Sequence, residues 1–206
     1  MGRRFSTGSI GHGQVLLSFS NLRSVYGNFF TSRLIKQNQR RNRDMTLYAL
    51  TPEWQKKAAA VFREDPQFER AFKIVNGVYV FEIQAEKSLG IDAPVGILNE
   101  VQNGVLVEDD FGLATEETRK KATWCVTGNY EVWKRVLTGK EVFIQAFMAG
   151  NIRLVEGDFA GLMRIAAQGT KLPQIFTRNE SKWPDEFSPN ELEDYKAQFK
   201  TWKAIA

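Results

Sequence analysis

The chain has 206 residues, 43% of them apolar and 12% aromatic, enough for one domain with a substantial core. No apolar run reaches the roughly eighteen residues that a membrane-spanning helix needs, and the lone cysteine, Cys125, rules out a disulfide within the chain and a multi-cysteine metal site. The formal net charge of +4 is unevenly spread: residues 1–44 hold eight basic residues against one acid, and the remaining 162 residues carry 20 basic and 23 acidic groups, so the body is not built to bind a polyanion and no nucleic-acid partner is expected.

The N-terminal 45 residues form a separate basic tail. "MGRRFSTGSIGHG" is rich in Gly, Ser and Arg and reads as disordered. Beyond it, Leu16, Phe19, Leu22, Tyr26 and Phe29 recur at helical spacing beside Arg23, Arg33 and Lys36. Three readings fit this pattern. One is an organelle presequence. Another is an amphipathic helix lying transiently on an anionic membrane. The third is upstream sequence, with Met45 as the true start. Under each, the fold begins near residue 46 and occupies 46–206. The absence of disulfides suits a reducing compartment such as the cytoplasm.

Thr51-Pro52-Glu53 opens a helix, with Thr as N-cap and Pro at its first position, running from Pro52 to about Glu64. Asp65-Pro66 restarts a second helix to about Ile74, and Asn76-Gly77 stops it. Val78 to Ala85 alternates like a strand. Val95–Gln102 and Val105–Asp109 flank Asn103-Gly104, a hairpin signal that demands two positive φ angles. Ala122–Thr127 is a fourth strand. Asn129 caps a helix bearing Tyr130, Trp133 and Leu137, ended by Thr138-Gly139. Glu141–Ala149 reads as helix, Asn151–Val155 as a fifth strand, and Asp158–Gln168 as a helix capped by Asp158. Pro189 starts a last amphipathic helix to about Lys203. The order predicts an α+β fold, with helices covering one face of a mostly antiparallel sheet.

Signals for catalysis are sparse. The only histidine, His12, lies in the tail, so the body has no Ser-His or Cys-His pair. Thr138-Gly139-Lys140-Glu141 lacks the glycine and the Ser/Thr of a phosphate loop. Glu108-Asp109-Asp110 and Glu116-Glu117 have no calcium-loop spacing and read as a solvated hairpin end and loop. Cys125, in mid-strand, reads as a buried, inert thiol. No catalytic residue, metal or cofactor is assigned. What remains is apolar surface: Phe143, Ala146, Phe147 and Met148 on one helix, and Phe159, Leu162, Met163 and Ala166 on the next. Pattern alone reads these stripes as core.

One stretch carries more. "TGNYEVWKRVLTGKEVFIQAFMAGNIRLVEGDFAGLMRI" resembles the sterol carrier protein type-two (sterol-transfer) domain family. The likeness lies in Ala146-Phe147, Gly150, Ile152-Arg153-Leu154 and Gly157-Asp158, followed by Leu162-Met163. The resemblance implies a five-stranded mixed, largely antiparallel sheet covered by helices and enclosing an apolar tunnel. It implies non-enzymatic binding or transfer of a sterol, fatty acid or acyl-CoA, with Phe143, Phe147, Met148, Phe159, Leu162 and Met163 lining the lipid site. Gly157 would then permit a tight turn and Asp158 would cap a helix, both structural roles. The C-terminal helix is a candidate lid. Two other readings stand beside it. One is an accessory, partner-binding domain with a vestigial pocket and exposed Trp183 and Trp202 at its interface. The other is an enzyme acting on acyl chains. Nothing in the sequence specifies an oligomeric state.

Overall fold

A computed structural model describes residues 46–205, so the tail expectations fall outside the described residues. Thr51 accepts the Trp54 N–H at 3.2 Å and starts α1, Pro52–Glu64. Its inner face carries Trp54, Gln55, Ala58, Ala59 and Phe62, all buried, at the three-and-four spacing that keeps side chains on one side of a helix. Asp65 ends α1 and caps α2, Pro66–Ala71. This helix is shorter than expected; its last residues unwind into a turn before the first strand.

The sheet has five strands: β1 Gly77–Ile83, β2 Val95–Gln102, β3 Val105–Leu113, β4 Trp124–Gly128 and β5 Ile152–Glu156. Their spatial order is β3-β2-β1-β4-β5. All neighbours are antiparallel except β1 and β4, which run parallel. The β2–β3 turn has Asn103 at φ 51° and Gly104 at φ 87°, as an Asn-Gly hairpin requires. β3 extends four residues past the expected Asp109.

Both faces of the sheet are covered. One small layer joins Val80, Leu98, Cys125, Ala122 and Ile205. It is closed by α3, Glu116–Lys121, and by the C-terminal segment, whose Ile205 N–H donates to Leu113 O at 3.1 Å. Helix α3 replaces the loop expected at Glu116-Glu117. Thr115 and Thr118 cap each other reciprocally, and the acids occupy the first turn and Arg119, Lys120 and Lys121 the last, the polarity that a helix dipole favours.

The main core lies on the other face, beneath α1 and four further helices: α4 Tyr130–Leu137, α5 Phe143–Met148, α6 Phe159–Ile165 and α7 Leu172–Phe176. The helix expected over Asp158–Gln168 is in fact two pieces. α6 ends at Ile165, and residues Ala166–Lys171 continue as a tighter 3₁₀ stretch into α7. The last helix, α8, spans Pro189–Phe199 and stops short of Lys203. Among the described residues no helix is long and apolar enough to cross a membrane.

Candidate functional site

The glycine-punctuated stretch builds one side of a cavity. α5 ends at Met148, and Gly150 just beyond it takes φ 76°, so that its N–H and that of Asn151 return to Phe147 O and Ala146 O at 3.0 Å each. β5 follows. Gly157 then takes φ 97°; a Cβ there would sit 2.2 Å from Thr123 O, so both backbone conformation and close approach demand glycine. Asp158 accepts the Gly161 N–H at 2.5 Å and opens α6. Gly157 and Asp158 therefore do structural work, as the family resemblance implied.

Between this layer and the sheet lies a cavity of about 80 Å³. Ala58, Ala59 and Phe62 of α1 border it on one side, and Tyr79, Phe81 and Val126 form its floor. Phe143, Leu162, Leu172 and Phe176 come from the helices above. None of its lining side chains is charged. The 3₁₀ stretch contributes Ala166, Gln168 and Gly169; a Cβ on Gly169 would press on Phe143, 2.9 Å from its Cβ and 3.0 Å from its ring.

The six residues expected to line a lipid site are not all brought together. Phe143 and Leu162 line the cavity. Phe147 and Met163 are partly buried and pack on the core outside that lining. Met148 is 69% and Phe159 56% exposed, so these two point outward rather than into the cavity. The reason is the width of the helical stripe: α5 and α6 have six and seven residues, and only one edge of each apolar face meets the interior. Phe159 instead rests against Phe147, with ring centroids 5.9 Å apart.

The C-terminal helix is not a lid over this cavity, since none of its residues lines it. Tyr195 is fully buried and donates its hydroxyl to Leu50 O at 3.0 Å, which anchors α8 beside the start of α1. The cavity is roofed by α6, the 3₁₀ stretch and α7. The expected exposed tryptophans are also corrected. Trp183 is 6% exposed and stands edge-on to Trp54 at 5.8 Å. Trp202 is half-buried against Phe199 and Tyr195.

Several charged groups outside the cavity have structural partners. Glu82, 3% exposed, accepts from Arg119 at 2.6 Å and Thr127 at 3.0 Å. Asp109 pairs with Arg63 at 2.5 Å. Lys134 bridges Asp185 at 2.7 Å and Glu186 at 2.9 Å. Burial pushes the Cys125 thiol up to about 12, so it stays protonated and unreactive near neutrality. Among the described residues no group of three or more His, Cys, Asp or Glu side chains is placed to hold a metal.

A mixed sheet roofed by short helices over a neutral, apolar cavity defines a small-ligand-binding α+β domain. The sequence matches the SCP-2 sterol transfer family over residues 58–168, and the chain belongs to that family. Solved structures share the fold. A crystal structure of sterol carrier protein 2 superposes with a TM-score of 0.57 at 17% identity, covering 62% of this chain and 96% of that one. A conserved hypothetical protein from Thermus thermophilus, described as possibly a sterol carrier protein, gives 0.59 at 17% identity, covering 66% and 92%. At such identity the likeness speaks to fold. A comparison with curated proteins finds no match.

Proposed function

We propose that the protein is a non-enzymatic lipid carrier that holds an apolar chain between its sheet and the α6–α7 layer. The observation that carries this reading is the uncharged cavity, roofed by short, glycine-linked helices in a member of a lipid-transfer family. Burying about twelve methylenes at about 0.8 kcal/mol each yields on the order of 10 kcal/mol before entropy costs. No nucleophile or proton-transfer group is needed. The cavity of about 80 Å³ is smaller than the roughly 150 Å³ that accommodates benzene in an engineered protein core. A lipid therefore enters by separating the roof from the sheet, and the roof's weak secondary structure suits that motion. The exposed Met148 and Phe159 suit brief contact with a membrane surface during exchange.

The test is mass spectrometry of lipid extracted from the purified full chain, beside an Ala58→Leu variant. Ala58 is buried on α1 and faces the cavity, and Leu keeps helix propensity. The variant should melt at or above the wild-type temperature yet carry no lipid, while the wild type carries about one per chain. Wild-type protein that carries none, and takes up none when offered, would contradict the proposal.

A further inference from the structure

The cavity is closed unevenly around its rim. Just past α7, Arg178 pairs with Asp65 at 3.0 Å and Asn179 donates to Lys57 O at 3.4 Å, which ties that end of the roof to α1 and α2. Farther along, Gly169 lies against Phe143 with no room for a side chain between them. Toward the sheet, Trp124 Nε1 donates to Asp158 O at 3.0 Å. A Cβ on Gly161 would come within 2.8 Å of the same indole, so the first turn of α6 sits directly on β4.

The seam between the C-terminal end of α5 and the start of α6 is different. Among the described residues no hydrogen bond or ion pair joins these two helices; a ring contact closes the seam, Phe147 against Phe159 with centroids 5.9 Å apart. Behind it, Phe147 meets Phe143 at 6.2 Å, and Phe143 lines the cavity. Three rings therefore lead from exposed Phe159, through half-buried Phe147, to a cavity wall. The route is apolar along its length. Gln55 and Asn99 enter the lining from α1 and β2, and β2 lies across β1 from β4 and β5. The walls that α5 and α6 supply are Phe143, Leu162 and Ile165.

Resting on the carrier reading above, we infer that the α5–α6 seam is the portal of the cavity and that the Phe147–Phe159 pair is its gate. Parting two rings exposes apolar surface, and an arriving apolar chain covers that surface at once. Opening next to Trp124 instead breaks its hydrogen bond to Asp158 O, and opening past α7 breaks the contacts of Arg178 and Asn179. An apolar chain replaces none of these polar contacts. The separation of roof from sheet that a bound chain requires begins at this seam, with the first turn of α6 as its pivot on β4.

The experiment is stopped-flow fluorescence of the full chain with cis-parinaric acid, dissociation being driven by excess dodecanoate. Neither gate ring lines the cavity, so the gate sets rates rather than affinity. Phe147→Ala and Phe159→Ser should raise the association and dissociation rate constants together by about fivefold, the factor that one aromatic pair supplies, with Kd within about twofold of wild type. Phe159 is exposed, so its variant folds even where Phe147→Ala does not. Phe147→Cys with Phe159→Cys, bridged by bis(maleimido)ethane, should slow both steps well below the wild-type rates; the buried Cys125 does not compete for the reagent. Arg178→Met, which frees the other end of the roof, should leave both rates unchanged. Rates unmoved by the Phe variants, a loss of affinity carried by dissociation alone, or equal acceleration by Arg178→Met would overturn the inference and leave the carrier reading standing. Wild-type protein that binds no probe would overturn both.

Discussion

Leu162 and Met163 are neighbours in the chain but meet different surroundings. Leu162 is buried and faces the cavity, whereas Met163 is partly buried and packs outside it. Leu162→Ala should cost about 2 kcal/mol, the low end for a buried leucine, because part of its side chain already borders a void. It should also admit a bulkier ligand. Met148→Ser, at a site 69% exposed, should shift stability by no more than about 0.5 kcal/mol. Thermal melts and binding of a common lipid on both variants check this pair. The sequence could supply the stripe but not this split, because spacing locates an apolar face without saying which edge of it meets a void. The polar residues of the cavity were less legible still. Gln55 interrupts the apolar face of Trp54, Ala58, Ala59 and Phe62, and a polar residue inside such a stripe was the available signal. Tyr79 carried no signal beyond its place in the alternating strand Val78–Ala85.

Among the elements, those with strong local punctuation were readable. Thr51-Pro52, Asn103-Gly104, Asn129 and Gly157-Asp158 each force a start or a turn through backbone conformation or capping. Helices α3 and α7 were not, since six polar residues and five mixed ones are too short for periodicity to register. For α3 the Thr115 cap and the acid-to-base order were the usable cues. Helix α8 was expected as a lid because its amphipathic pattern could not reveal where it docks. It is instead fastened by Glu191, which accepts from Lys182 at 2.6 Å and from the Ser188 backbone N–H at 2.7 Å. Hydrogen bonds from Lys182, then Ser188, hold the Glu191 carboxyl at about 2, from an ordinary 4.5. A carboxyl lowered on folding adds stability above its unfolded value and loses it as pH falls through the folded one. Attachment of α8 should therefore weaken between about pH 4.5 and pH 2. Hydrogen exchange of the α8 amides across that window should rise in the wild type, and Lys182→Met should already exchange faster at pH 6, with less further change on acidification.

For the whole molecule, the α+β class and the five-strand count followed from periodicity and the family resemblance. The order β3-β2-β1-β4-β5 did not follow from periodicity, because placing β4 parallel to β1 depends on contacts between residues far apart in the chain. That placement makes the site: it sets Trp124 and Val126 beside Tyr79 and Phe81 and so completes the cavity floor. The two sheet faces then differ sharply. One carries the cavity, and the other a small closed layer of Val80, Leu98, Cys125 and Ile205. This contrast gives the most direct test of the account, a methyl-resolved NMR titration of the full chain with dodecan-1-ol. The account predicts saturable shifts at Leu162, Leu172, Ile175 and Val126, with Val80, Leu98 and Ile205 unmoved. Absence of saturable shifts, or shifts confined to Val80, Leu98 and Ile205, would contradict it.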